Sequence, residues 1–389
     1  MVSVDEALKL IAINSTKLNS ESIPLRSSVG RIIVESIHAQ IDMPPFDQSA
    51  MDGYALCPGE RSYRVIGECK AGSKEQYRAE DSKSAVRIFT GAPVPTDFST
   101  VVKQEITERN GQELIVTEQF DDHENIRFKG EQYRKGDPLV ASGTKLTPGI
   151  IGLLATNGIT EVSVSKLPKV GILTTGDELA HPGEQLEDGQ VYESNTVMLE
   201  SALQQLGIQP VIQRVTDNLN ATVTAMSILI EQCDLVLTSG GISVGDHDHI
   251  YAAAEKNEIK EVFYKVKQKP GKPLFFGLKD DTLLFGLPGN PASALTCFYV
   301  YVSKALEVMT QSPTPMYKRS ILSLRKSYLK KGTFTNFLKA QADQDSVSPL
   351  SGQSSAMLQT MTDANAIMIV PAAKNECKKG ELFEVILID

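Results

Sequence analysis

The sequence predicts a multidomain chain of mixed α/β and β type, with a doubly wound α/β domain near its middle and β-rich regions on either side. Three observations carry that prediction. The 389 residues, at roughly 150 per domain, are enough for two to four domains. From Lys169 to Met309, strand-like and helix-like patterns alternate, which argues for a mostly parallel sheet covered by helices on both faces. Outside that stretch the chain reads as short strands broken by Gly, Pro, Asp and Asn, with few helical patterns between them.

The elements follow in order. Ser3 can cap a first helix, Glu6 completes a capping box three residues on, and Leu8, Ile11 and Ala12 keep helical spacing. Between Pro24 and Gly143, strands are expected at Tyr63–Ile66, Ser84–Phe89, Thr100–Ile106 and Glu113–Thr117. Thr147-Pro148 opens a second helix, which stops at Gly158; Val162 and Val164 then alternate as a strand, and Leu167-Pro168 reads as a hinge. The α/β stretch has strands at Val170–Thr174, Ile208–Val215, Leu235–Ser239, Glu261–Val266 and Thr282–Phe285. Its helices are expected at Asn195–Leu206, Leu219–Gln232, about His247–Lys256, and Ala292–Met309. Pro313 and Pro315 mark a linker into a small β domain, with strands at Ser320–Leu324, Phe334–Ala340, Ala366–Val370 and Leu382–Ile388.

Composition narrows the function. With 41% hydrophobic and 22% charged residues the chain can build more than one core, which argues against a disordered or fibrous chain. A net charge of −9 argues against a general nucleic-acid binder. No apolar run is long enough to span a bilayer, and the N-terminus has no basic leader followed by an apolar stretch, so a soluble protein is expected. The five cysteines are scattered, odd in number and never form a CxxC pair, which points to free thiols in a reducing cytoplasm.

Ligands of an open α/β sheet bind at the carboxyl ends of its strands, and there the chemistry-bearing residues gather. Leu235–Ser239 runs into Gly240-Gly241-Ile242-Ser243-Val244-Gly245, which is either a tight strand-to-helix connection or a phosphate cradle with Ser239 and Ser243 as donors. Thr174–Leu179 places Asp177 and Glu178 at the end of the first strand. Asp246 and Asp248 flank His247, and Leu287-Pro288-Gly289-Asn290-Pro291 opens the last helix. Lysines cluster from Lys260 to Lys279 in an otherwise acidic protein. For Lys260 and Lys265 a solvated edge strand suffices; for Lys269 and Lys272, on a stiff Pro-Gly turn, anion binding is the better reading. Carboxylates and ammoniums in one cleft suit a phosphate-bearing or oxyanion ligand bridged by Mg²⁺.

In chain order, QSAMDGYA, FTGAPVP, TGDEL, TSGGISVGD, KPGKP and LPGNP resemble the molybdopterin molybdenumtransferase family, of which bacterial members are free-standing enzymes and to which the C-terminal domain of gephyrin is similar. The resemblance covers essentially the whole chain. It implies four structural domains, at 1–40 with 136–166, 41–135, 167–315 and 316–389. The third would resemble the molybdopterin adenylyltransferases and the last would be a small β-barrel-like domain. It implies a cytoplasmic homodimer that takes adenylylated molybdopterin and molybdate, uses Mg²⁺, releases AMP, and has a molybdopterin adenylyltransferase as a further partner, with no nucleic acid or membrane involved. On this reading Gly240, Gly241, Ser243 and Gly245, with Ser239, Pro288, Gly289 and Asn290, hold the nucleotide side of the ligand. Lys269 and Lys272 attract molybdate or phosphate. Glu178, Asp217 and Asp248 hold Mg²⁺ or position water, and Asp52 and Thr90 join from the second domain.

This chain departs from the family pattern at three places. Gln48 stands where Asn is usual, Gln132 where a Gly-Glu-Asp stretch would end, and Gln353-Ser354-Ser355-Ala356 replaces a Gly-Ser-His-like segment, from which only Ser355 is carried over. The alternatives are an adenylyltransferase, disfavoured by the extra domains, and a non-catalytic molybdopterin-binding carrier or scaffold paralogue.

Overall fold

The computed structural model describes residues 1–240 and 249–388, in two compact units: Met1–Ser22 with Ser163–Asp389, and Ile23–Val162. Helix α1 (Val4–Asn14) has the expected capping box: Glu6 N donates to Ser3 Oγ at 3.2 Å and Ser3 N to Glu6 Oε2 at 3.4 Å. It buries Val4, Ala7 and Ile11 in the same core as the α/β sheet. The four-domain division implied by the resemblance groups residues 1–40 with 136–166, whereas the compact units place residues 1–22 with the α/β sheet.

The unit 23–162 is built on six strands: β1 (Gly53–Leu56), β2 (Ser62–Cys69), β3 (Ser84–Ile88), β4 (Thr100–Lys103), β5 (Thr107–Asn110) and β6 (Glu113–Val116). They lie in the order β4-β1-β3-β2-β6-β5, antiparallel except for β2 beside β3. The sequence marks β1 only as a loop, because all four of its residues are buried and no alternation betrays the strand. Helix α2 (Pro148–Thr156) starts where Thr147 Oγ1 accepts from Ile150 N.

In the other unit, strands β7 (Val170–Thr175), β8 (Val211–Val215), β9 (Leu235–Ser239), β10 (Lys260–Tyr264), β11 (Gln268–Lys269), β12 (Phe275–Lys279) and β13 (Thr282–Leu287) alternate with helices α3 (Asn195–Gln205), α4 (Leu219–Gln232) and α5 (His249–Lys256). The sheet order is β8-β7-β9-β13-β12-β10. The first four strands are parallel, and β12 runs antiparallel to both β13 and β10. Strand β12 escapes the sequence reading because Gly277 breaks a short apolar run that Lys272 and Lys279 bracket; β10 is the lysine-bearing edge expected there. The sheet buries both faces. Ile172, Leu235, Leu237, Leu283 and Phe285 pack with α1, α3 and the last helix, while Leu173, Val236 and Leu284 pack with α4 and α5. That last helix, expected as one piece, is α6 (Pro291–Cys297) and α7 (Ser303–Met309) joined by a π-helical turn at Phe298–Val302.

Beyond it, β14 (Arg319–Leu324), β15 (Thr335–Ala342), β16 (Ser346–Pro349), β17 (Ala366–Val370) and β18 (Leu382–Leu387) close a five-stranded barrel in the order β15-β16-β14-β18-β17, with β17 pairing back onto β15. The two-residue strand β11 pairs in parallel with β15, joining Gln268 and Lys269 to the barrel edge. No helix among the described residues is long and apolar enough to cross a membrane.

Candidate functional site

Two neighbouring cavities share Asn290: one lies at the carboxyl ends of β7, β9 and β13, the other between the loop after β13, the 268–273 turn and the C-terminal barrel. One, of about 670 Å³, is acidic: Glu178, Glu193, Asn195, Asp217, Ser239, Gly240 and Gly289 line it. The other, of about 730 Å³, is basic: Lys269, Lys272 and Lys331 line it together with Pro288, Ser293, Ser354 and Ser355.

The acidic end is organised by side chains that satisfy backbone groups. Asp177 Oδ1 accepts from Asp217 N at 3.0 Å, so the first carboxylate of the TGDEL segment braces the next loop while Glu178 lines the cavity. His249 Nε2 lies 3.9 Å from Asp217 Oδ1. Asn195 Nδ2 donates to Ser239 Oγ at 2.7 Å and to Gly289 O at 2.8 Å, which draws the ends of β9 and β13 together. Asn195 is only 7% exposed, and its Oδ1 has no partner among the described residues. Glu193, 3% exposed, accepts from Thr196 N through Oε1; Oε2 makes no hydrogen bond among the described residues and faces Arg214 NH2 at 3.6 Å. Buried acceptors left open on a cavity wall are groups that a ligand's donors or a cation would satisfy.

The basic end is a turn held from beneath. Buried Gln268 donates from Nε2 to Gly271 O at 2.8 Å and accepts from the Tyr301 hydroxyl. Gly271 has φ +77°, and a Cβ there would lie 2.7 Å from Cys297 Sγ, so the turn requires glycine. Burial pushes the Cys297 thiol up to about 12. Lys269 and Lys272 form no ion pair with the described residues, and Lys272 Nζ sits 5.9 Å from the Phe334 ring centroid. The barrel meets the sheet loops here: Asn290 Nδ2 donates to Ser355 Oγ at 3.1 Å.

Of the residues singled out in the sequence, Glu178, Asp217, Ser239, Gly240, Gly289 and Asn290 therefore share the acidic cavity, and Lys269, Lys272, Pro288, Asn290 and Ser355 the basic one. Gly241, Ser243, Gly245 and Asp248 lie outside the described residues. In the other unit, Thr90 donates to Asp52 Oδ1 from both N and Oγ1 at 2.8 Å, bringing two separate motifs together. Those bonds, the backbone one foremost, hold the Asp52 carboxyl below its usual range. Gly53 beside it is obligatory, since a Cβ would fall 1.9 Å from Val102 O. Sequence reasoning missed Glu193, Asn195, Gln268 and Lys331. Glu193 and Asn195 stand just before and at the start of a helix, where such residues read as caps, and Lys331 in a Lys-Lys pair reads as surface.

Comparison with known proteins covers almost the entire chain. Residues 2–158 match the profile of the MoeA N-terminal region (domain I and II), 171–308 that of a probable molybdopterin binding domain, and 322–388 that of the MoeA C-terminal region (domain IV). A molybdopterin molybdenumtransferase of Staphylococcus epidermidis is 31% identical over 402 residues, spanning 100% of this chain and 96% of the relative. One of Staphylococcus aureus gives the same identity and coverage. Among solved structures, a molybdopterin biosynthesis MoeA protein from Pyrococcus horikoshii OT3 superposes with a TM-score of 0.82 at 27% identity, covering 100% of both chains.

Proposed function

This chain belongs to the molybdopterin molybdenumtransferase family, and from that premise we propose that it transfers molybdenum from molybdate to adenylylated molybdopterin, releasing AMP, in molybdenum cofactor biosynthesis. The observation that supports this reading most is the pairing of an acidic with a basic cavity across Asn290, since the reaction joins a phosphate-linked nucleotide to a small oxyanion. Lys269, Lys272 and Ser355 hold the oxyanion, and the loops at Ser239–Gly240 and Pro288–Asn290 hold the nucleotide side. Gly241, Ser243, Gly245 and Asp248 join them on the strength of the resemblance, as do Asp52 and Thr90 in a homodimer. A molybdopterin adenylyltransferase supplies the adenylylated pterin. The cytoplasm is the proposed compartment, which suits five cysteines without a disulfide.

Mg²⁺ dependence belongs to the same proposal. Among the described residues the lining offers hard oxygen donors, Glu178 and Asp217 with Asn195 Oδ1, which has no partner there, and no three metal-ligating side chains gather. That fits a hard cation held by one or two carboxylates together with phosphate oxygens and water. When bound, it would neutralise charge on the pyrophosphate. The chain's own task is then to place that linkage between Glu178 and Asp217 on one side and the lysine-held oxyanion on the other, so that a water reaches phosphorus as AMP leaves.

The test is a molybdate titration of purified protein with adenylylated molybdopterin and Mg²⁺, following AMP and molybdenum-bound pterin together. Molybdate-dependent AMP release with cofactor formation is expected. Tight pterin binding without AMP release would overturn the reading in favour of a carrier.

A further inference from the structure

One charged side chain near the basic cavity stands outside the proposed mechanism. Lys339, on β15, is 4% exposed; Leu338 and Ala340 fill the barrel interior, so by strand alternation the Lys339 side chain lies on the outer face of the barrel, beneath the 353–357 segment. Nζ donates to Met357 O at 2.7 Å and to Ser354 O at 3.2 Å. Its backbone is tied to the same segment in both directions: Lys339 N donates to Gln353 Oε1 at 3.0 Å, and Gln353 Nε2 donates to Lys339 O at 2.8 Å. No carboxylate among the described residues forms an ion pair with it, and burial lowers its proton affinity. A buried, unneutralised ammonium is costly, and core packing alone does not require one. Its two neighbours in this network carry the explanation: Ser354 lines the anion cavity, and Ser355 is the hydroxyl that Asn290 bonds.

We propose that Lys339 is a positioning residue for the oxyanion: it fastens the 353–357 segment so that Ser355 meets Asn290, and it leaves a fixed positive charge behind the cavity wall. This rests on the reading that the basic cavity captures molybdate. Gln353, a departure from the family pattern at the sequence level, is in this chain one of the ties.

Lys339→Met separates this role from a merely structural one. Methionine fills a similar volume without the desolvation cost of a buried charge, which offsets the loss of the two hydrogen bonds to part-buried carbonyls, so the stability of the fold should change little. Molybdate binding, read by calorimetry on the protein alone, should weaken by about tenfold. In turnover, the half-saturating molybdate concentration should rise in the same proportion with kcat little changed, and Lys339→Arg should recover part of the loss. Adding Ser355→Ala to Lys339→Met should cost little more, because the hydroxyl is already misplaced. Unchanged molybdate affinity in a folded Lys339→Met protein would overturn the proposal, as would parallel losses of Tm and affinity. Should Lys339→Met fail to fold, Gln353→Leu cuts the second tie, and undiminished molybdate binding there overturns it equally. AMP release by the unaltered protein tests the underlying reading separately: its absence with molybdate binding intact would sink the transferase assignment and leave the role of Lys339 standing.

Discussion

The acidic and basic ends of the cleft are built by opposite means. The acidic end draws its side chains from the loops at the carboxyl ends of one sheet, where the register of β7, β9 and β13 fixes their spacing and Asn195 cross-links the loops. The basic end depends on a few buried polar groups, Gln268 beneath the lysine turn and Lys339 beneath the barrel segment, and on two domains meeting at Asn290 and Ser355. A site fixed by topology should tolerate changes in its neighbours and fail only when its chemistry is removed. A site fixed by single buried ties should fail in binding when any tie is cut.

The largest expected effect tests that division directly. Glu178→Gln keeps the shape of the side chain and removes its charge, so AMP release should fall by roughly 10²–10³-fold while half-saturating molybdate stays put. Lys272→Ala should do the reverse, raising half-saturating molybdate by about tenfold and flattening its salt dependence, with saturated turnover largely kept. Steady-state kinetics at several ionic strengths measures both. If each variant moves both parameters equally, the two ends are not separable.

A smaller effect sharpens the contrast. Gln268→Leu leaves the Tyr301 hydroxyl and Gly271 carbonyl without their partner, and buried groups orphaned in this way cost about 1–3 kcal/mol. A lower Tm and weaker molybdate binding are expected together, because the lysine turn and the core beneath it share that amide. Thermal melts and molybdate calorimetry on the same preparation would show it; an intact affinity in the destabilised protein would mean that the turn holds its own shape.

The same asymmetry governs what is legible in the sequence. The β-α alternation by itself puts Glu178, Ser239 and Asn290 on one sheet edge, because local periodicity encodes topology in such folds. Strand β12 is not legible, since Gly277 interrupts its short apolar run and Lys279 ends it, nor is β1, whose burial on both faces erases alternation. The ties of the basic end are invisible for a different reason. Gln268 and Lys339 are polar residues whose burial follows from contacts 33 and 18 residues away, to Tyr301 and Met357, and no pattern in their own neighbourhood announces it. The lysine cluster on a Pro-Gly turn announces Lys269 and Lys272, and motif resemblance supplies Ser355, but neither reveals the groups that hold them.

The smallest expected effect reads the same turn through its thiol. Cys297 lies against Gly271 and is fully buried, and burial lifts its pKa to about 12, so at pH 8 it stays protonated and inert. Cys57, half-buried on the other unit, is the thiol open to reagents, and the unaltered protein should titrate rapidly as one cysteine of five. Gln268→Leu pulls in two directions. The Gln268 amide, 3.5 Å from Cys297 Sγ, favours the thiolate, so its loss alone would make the thiol less reactive still. Only relief of burial, the larger influence, can bring the pKa down towards the usual thiol range. A second rapidly reacting thiol in this variant would therefore report that the lysine turn has opened, and a count that stays at one would show that the turn keeps its seal without the amide beneath it.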